Sequence, residues 1–407
     1  MISFQKKILI KRFCGAPQEW KIVKIKEVAE ERVESNSDLD KYPLYSFTIS
    51  NGVTEKTKRY ERSHLLKDKD NNEFKVVHKN DLIFNPMNLR FGAISISRVD
   101  DPVSVSKYYE ILRINESMIK PYFLEMVLQS YQMFDVYDRV AIGSLLEKRR
   151  VHLSEFKKLC IYLPSIEEQK EIAKVVSSWD KVINAMNELI ETKKEYKKGL
   201  MQRLLAGEGR QKVLSSNQGV RKLKGLIRDV SVRNKDLGIV RVLSVTNSNG
   251  FVIQTDHFDK VIASKDLSNY KIVKKGQFGY NPSRVNVGSI ARLENYDNGI
   301  LSPMYVIFET KADELLPEYM SQFIKSYNFL GKVRCLTQGS VRDSLDFGSL
   351  EQIRLFVPSI EEQKKIADFL FTIDEEIKTL EDQRDTLKIQ KKGLMQRLLT
   401  GEVRVKV

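Results

Sequence analysis

No apolar run in the 407 residues comes near the ~20 that a membrane span needs, although 42% of the positions are hydrophobic. The N-terminal stretch MISFQKKILIKRF breaks its apolar residues with lysines, which makes a poor signal peptide. Cysteine is scarce, and Cys14, Cys160 and Cys335 lie far apart with no C-x-x-C pair. That excludes a disulfide framework and a cysteine zinc site, and it makes a reducing cytoplasm the expected setting. His64, His78, His152 and His257 are scattered, as structural histidines are, rather than clustered as metal ligands. No G-x-x-x-x-G-K-[ST] occurs, no G-x-G-x-x-G follows a strand, and no G-x-S-x-G elbow is present. A P-loop, a dinucleotide cradle and a serine nucleophile are therefore not expected.

What the chain has in excess is positive charge. Lys and Arg number 68 against 54 Asp and Glu, a balance of +14 that fits a polyanionic partner. It also has length, enough for two or three domains, and an internal repeat. PSIEEQK occurs at 164–170 and 358–364, and KKGLMQRLL at 197–205 and 391–399, both at an offset of 194. Residues 164–208 and 358–402 share 24 identities in 45 positions without a gap. A weaker match precedes each copy. Phe84-Asn85-Pro86 with Gly92 corresponds to Tyr280-Asn281-Pro282 with Gly288 at offset 196, and SFTISNG (46–52) to SVTNSNG (244–250) at offset 198. The order is variable region, helix, variable region, helix, which predicts a pseudo-two-fold molecule. The expected segments are 1–160, 161–208, 209–357 and 358–407.

The repeated segments read as long helices. Ser165-x-x-Glu168 and Ser359-x-x-Glu362 are capping boxes just after a proline. Apolar positions then step by three and four over about 40 residues, which predicts a coiled coil. The seam is expected through Ile172, Val175, Trp179, Val182, Met186, Leu189, Lys193, Tyr196 and Leu200 in the first helix. In the second it is expected through Ile366, Phe369, Ile373, Glu376, Leu380, Gln383, Leu387, Gln390 and Leu394, with Ile377 widening the stripe. Gly199 and Gly393 suggest a kink or a close backbone approach, and Gly207 and Gly401 are placed to end the helices. Each variable region opens with short β-rich runs and Asn-Gly turns (Asn51-Gly52, Asn249-Gly250), followed by helical patterns at 121–131 and 317–327. Each is thus a mixed α/β globule, and residues 206–220, rich in Gly and Ser, read as the linker.

Catalytic chemistry is thin. Asn85-Pro86-Met87 and Asn281-Pro282-Ser283 resemble the start of a DNA amino-methyltransferase loop, but its second proline, its aromatic and a cofactor loop are missing. Glu167-Glu168-x-Lys170 is explained by its capping box. Basic residues among strands and turns remain: Arg90, Arg98, Lys107, Lys148, Arg149 and Arg150 in the first region, and Arg284, Arg292, Lys332, Arg334 and Arg342 in the second. Arginine and asparagine read base edges and lysine neutralises phosphate, so a DNA-facing patch on each globule is expected.

With PSIEEQK and KKGLMQRLL repeated between two β-rich variable regions, the chain closely resembles the specificity subunit of type I restriction–modification systems. The resemblance implies an α+β fold with two β-rich target-recognition domains, separated by two long antiparallel coiled-coil helices. Each domain would read one half of a split, asymmetric site in double-stranded DNA. The helices would set the spacing and dock methyltransferase subunits, to which restriction subunits add. S-adenosylmethionine, ATP and Mg would sit on those partners, with no cofactor, catalysis or membrane contact in this chain. By position in the family motifs, Asn281, Arg284 and Asn286, and Ser340 with Arg342, join the expected DNA-binding set. In the first region Asn85, Arg90, Arg98 and Arg149 are expected there, with Arg90 or Arg149 standing in for arginines that the first copy lacks. The other reading is a stand-alone two-module DNA-binding or scaffold protein joined by a coiled coil.

Overall fold

The computed structural model describes residues 16–55, 73–144, 149–207, 219–254, 266–337 and 344–407. The chain divides into two compact units, one of residues 1–185 with 384–407 and one of residues 186–383. Each unit therefore holds one globule, the first half of the long helix that follows it and the second half of the other long helix.

In the first unit a four-stranded antiparallel sheet runs Ala29–Glu31, Glu110–Ile114, Leu82–Phe84, Ile94–Ile96. In the second the order is the same: Ile227–Asp229, Val306–Thr310, Phe278–Tyr280, Ile290–Arg292. A two-stranded ribbon leads into each long helix, Lys21–Lys24 with Cys160–Leu163 and Gly219–Lys222 with Arg354–Val357. The Asn-Gly hairpins form where expected, Tyr45–Thr48 with Gly52–Glu55 and Leu243–Thr246 with Gly250–Ile253. Their glycines take φ +64° and +61°, a left-handed conformation that a β-carbon disfavours. Helices Pro121–Leu128 and Pro317–Ile324 begin on a proline, whose missing N–H is one of the unpaired first-turn donors anyway. They bury Phe123 and Leu124, or Met320 and Phe323, against the sheets.

The long helices span Ile166–Ala206 and Ile360–Leu399. Both start on the capping serine, since the Glu168 N–H donates to Ser165 Oγ at 3.2 Å and the Glu362 N–H to Ser359 Oγ at 3.3 Å. Glu168 does not reach back as in a full capping box. Its carboxylate is buried and accepts from Trp20 Nε1 at 3.0 Å and from Arg404 Nε at 2.6 Å, which ties the C-terminal tail to the first globule. Within the second unit Ile190 packs with Ile373 and Ile377, while Met201 and Leu205 meet Ile366 and Leu370, so the two helical segments run antiparallel. In the first unit Ile172 and Val176 share a core with Leu398 and Leu399, again antiparallel.

One half of the expected seam is out of phase. Ile172, Ile366 and Ile373 are buried, and Trp179, Met186, Leu200, Leu380, Leu387 and Leu394 partly so. The intervening positions fall one residue later than expected: Val176, Ile183, Ile190 and Lys197 in the first helix, and Leu370 and Ile377 in the second. Val182, Leu189, Tyr196 and Phe369 are exposed instead. Each of these but Lys197 is an apolar residue beside the expected one, and Lys197 can join the seam because its ammonium lies 2.6 Å from Asp374 Oδ1. Gly199 and Gly393 lie within the continuous helices, and a β-carbon on either would meet nothing within 4 Å, so no close approach occurs. Gly207 and Gly401 end the helices at φ +71° and +74°.

Candidate nucleic-acid interface

In the second globule the strands Phe278–Tyr280 and Ile290–Arg292 are joined by the Asn-Pro turn. Asn281 Oδ1 accepts the Ser283 N–H at 3.0 Å, closing an Asx turn. A 3-10 turn, Val285–Val287, follows and stops on Gly288 at φ +94°. Ser289 Oγ donates to the Val245 carbonyl at 2.7 Å, and a β-carbon on Gly288 would lie 3.6 Å from that of Asn247. The turn is thus fixed against the end of the Leu243–Thr246 hairpin. Between them lies a cleft of about 490 Å³ whose lining includes Asn247, Gln254, Asn281, Arg284, Ser302 and Met304. Arg284 is exposed and makes no ion pair among the described residues. A cationic side chain on a rigid turn, beside the exposed Asn247 and the half-buried Asn281 and Ser302, can take a phosphate or a guanine edge.

The first globule builds the same turn with different chemistry. Asn85 Oδ1 accepts the Met87 N–H at 3.0 Å, and Leu89–Phe91 ends on Gly92 at φ +90°. Of the cations expected to face DNA here, Arg90, Arg98 and Arg149 are held by carboxylates. Arg90 Nη1 donates to Asp138 Oδ1 at 2.8 Å, and Arg149 reaches the same residue through its side chain and its carbonyl. The Arg90 hydrogen bond is the main reason that the Asp138 carboxyl titrates below its usual range. Arg98 Nη2 lies 2.5 Å from Glu125 Oε2, a buried carboxylate that also accepts from Ser95 Oγ and the Ile96 N–H. In the second globule Arg292 is engaged likewise, 2.7 Å from Glu318.

The structure therefore gathers Asn281, Arg284 and Asn286 on one turn, and in the first globule Asn85 and Arg90 on its counterpart. Arg149 stands in another segment but shares Asp138 with Arg90, and Arg98 lies elsewhere in its own ion pair with Glu125. Ser340 and Arg342, with Lys148, lie outside the described residues. Cys160 is buried and Cys335 exposed, neither in a disulfide, and among the described residues no cluster of metal-binding side chains occurs. No helix of the described residues is long and apolar enough to cross a membrane.

Two further features were not apparent from the residue pattern. Gln169 and Gln363 are the sixth residue of each PSIEEQK, and both are fully buried. Gln169 Oε1 accepts the Lys120 N–H at 2.8 Å, and its amide donates to the carbonyls of Met118 and Pro164. Gln363 does the same for Leu316, Glu314 and Pro358. Asp138, the anchor for two arginines, was also missed. The repetition of Gln169 at the same place in both copies was the available signal.

The model of the type I restriction modification DNA specificity domain matches residues 17–194 and 258–388. A protein assigned as the MjaX type I restriction enzyme specificity subunit of Methanocaldococcus jannaschii is 24% identical over 442 aligned residues, covering 96% of this chain and 95% of its own. The MjaVIII specificity subunit of the same organism is 25% identical over 287 residues, 62% of this chain and 64% of its own. Among solved structures, the type I restriction–modification S subunit from M. genitalium is similar with TM-score 0.52 at 14% identity, covering 93% of this chain and 96% of that one. A chain from a structure of complex assembly and conformational transition in a type I system gives TM-score 0.56 at 14% identity, covering 95% and 99%. These structural likenesses concern the fold.

Proposed function

The chain belongs to the type I restriction modification DNA specificity family, and from that premise we propose that each of its two globules reads one half of a bipartite, asymmetric site in double-stranded DNA. The observation that carries this reading is the duplication of the globule itself. The same four-strand order and the same Asx turn closed by a left-handed glycine occur twice in one chain. A single chain with two unlike turns on matching frameworks suits a split site of two unlike halves.

In this reading the long helices set the distance between the half-sites and dock methyltransferase subunits, and restriction subunits join that assembly. The chain itself performs no catalysis. S-adenosylmethionine, ATP and Mg belong to the partners, and the complex works in the cytoplasm. Asn281, Arg284 and Asn286 are the proposed contacts in the second globule, with Ser340 and Arg342 beside them by family position. In the first globule Asn85 is a proposed contact, while Arg90, Arg98 and Arg149 shape the face through their carboxylates.

Sequencing of DNA methylated by the assembled complex tests the reading directly. A split motif with one modified adenine in each half is expected, and a continuous motif would contradict it. Arg284→Ala should relax one base position by about 1–3 kcal/mol if the guanidinium reads a base edge. If it contacts phosphate instead, affinity falls for all sequences alike and the salt slope flattens by about one. Either way the preference in the other half-site should stay as it was.

A further inference from the structure

We propose that the first globule reads its half-site through thymine methyl groups, by an apolar face at the position where the second globule carries Arg284 and Asn247. This inference rests on the reading of the chain as a DNA specificity subunit. By the internal repeat, Ile49 corresponds to Asn247, Met87 to Ser283, Asn88 to Arg284, Phe91 to Val287 and Tyr108 to Met304. The first globule has thus exchanged the arginine and an asparagine of the cleft for an asparagine and an isoleucine. It has also placed an aromatic at each of the two outer positions.

These side chains are not core residues that happen to reach the surface. Ile49, Met87, Phe91 and Tyr108 are 55%, 49%, 63% and 75% exposed. Single exposed apolar residues need no explanation, but these four stand on the turns that frame one face. A β-carbon on Gly92 would lie 3.9 Å from Ile49 Cγ2, so the hairpin end and the Asx-turn segment adjoin, as they do in the second globule. The rings of Phe47 and Tyr109 meet edge to face at 5.4 Å, which brings the turn that carries Tyr108 beside the strand that leads to Ile49. The Arg90 guanidinium lies 5.1 Å from the centroid of the Phe91 ring while its hydrogen bond goes to Asp138.

Arg90, the arginine of this turn, is therefore committed to Asp138. Besides the amide of Asn88, what the face offers a base pair is hydrocarbon and aromatic surface. In the major groove the one apolar group on a base edge is the C5-methyl of thymine, and apolar side chains pair with it. Lys107 and Arg150, both exposed, remain to meet phosphate.

The test uses the complex assembled from the full chain and its methyltransferase subunits, selecting from duplexes with both half-sites randomised. Phe91→Ala and Tyr108→Ala should each relax one half-site, at T·A pairs. Duplexes with deoxyuridine in place of thymidine at those positions, which lack only the methyl, should bind the unaltered complex about fourfold more weakly per methyl lost, from ~0.8 kcal/mol per buried carbon. Phe91→Leu and Tyr108→Phe, which keep the apolar contact and the fold, should retain the preference. Relaxation at G·C pairs, indifference to deoxyuridine, or an unchanged half-site in both alanine variants would each overturn the proposal while leaving the specificity-subunit reading intact. If the unaltered complex selects no split site, that reading falls and this proposal with it.

Discussion

Gln363→Ala should destabilise the second unit by about 3–5 kcal/mol, since truncation strands three backbone groups at ~1–3 kcal/mol each and leaves a cavity that water can only partly fill. The side chain is fully buried. Its Oε1 accepts the Leu316 N–H at 2.8 Å, and its Nε2 donates to Glu314 at 2.9 Å and to Pro358 at 3.0 Å. These bonds staple the entrance of the long helix to the loop before helix Pro317–Ile324. Gln363→Leu keeps the volume and loses every bond, so it separates hydrogen bonding from packing. Gln363→Glu keeps the acceptor for Leu316 but turns a carboxylate toward two carbonyls, and it should cost as much as the leucine. Urea unfolding followed by Trp179-independent probes in the second unit measures this, and Gln169→Ala should do the same to the first unit. A loss below 1 kcal/mol in both would show that the staple carries little energy.

Much of the framework is legible in the sequence because its signals are local. The Asn-Gly pairs at 51–52 and 249–250 need only their own strands, and a proline followed by Ser-x-x-Glu opens a helix without reference to anything distant. The phase of the coiled coil is not local. Apolar residues stand side by side at 182–183 and 189–190, and at 196–197 the pattern offers Tyr against Lys. Hydrophobicity favours Tyr196, yet Lys197 is the buried one because Asp374 lies 177 residues away in sequence and 2.6 Å away in space. Arg90 illustrates the same limit at the candidate site. It reads as a free cation until Asp138, 48 residues on, is seen to hold it. The Asx turns were visible as Asn-Pro, but the cleft that Arg284 lines depends on a hairpin some 40 residues earlier. Even there, the contrast between the two faces was written in the aligned residues, Ile49 opposite Asn247 and Asn88 opposite Arg284.

Asp374→Ala is the second large effect, about 3 kcal/mol, because it leaves the buried Lys197 ammonium without its carboxylate. That is the low end for breaking a buried pair, and it applies because the Asp374 side chain is a third exposed. Lys197 itself is 8% exposed. Burial pulls its pKa below the ordinary 10.5, and Asp374 restores only part of the loss. The sign follows from proton counts. Between the lowered folded pKa and 10.5 the unfolded chain holds this proton and the folded chain sheds it, so stability from this group rises with pH through that window. Asp374→Ala should widen the window and steepen the rise. Lys197→Met with Asp374→Leu should abolish the rise and be neutral or stabilising, since a packed apolar pair avoids both desolvation penalties. Unfolding free energies at pH 7 to 10 for the three proteins decide the matter. The same pair recurs in the first unit as Lys391 with Asp180, each displaced by 194 from its counterpart, and there Asp180 also accepts from the Tyr122 hydroxyl at 2.6 Å. A pair that an apolar one should match in stability and that is nonetheless built twice is expected to act on the alignment of the helices, because a charged residue in the seam penalises any register that moves it away from its partner. The Met/Leu variant is therefore expected to gain stability and to lose discrimination between half-site spacings, which the spacer lengths methylated by its complex would report. A variant that keeps a single spacer length would show that the apolar seam alone sets the register.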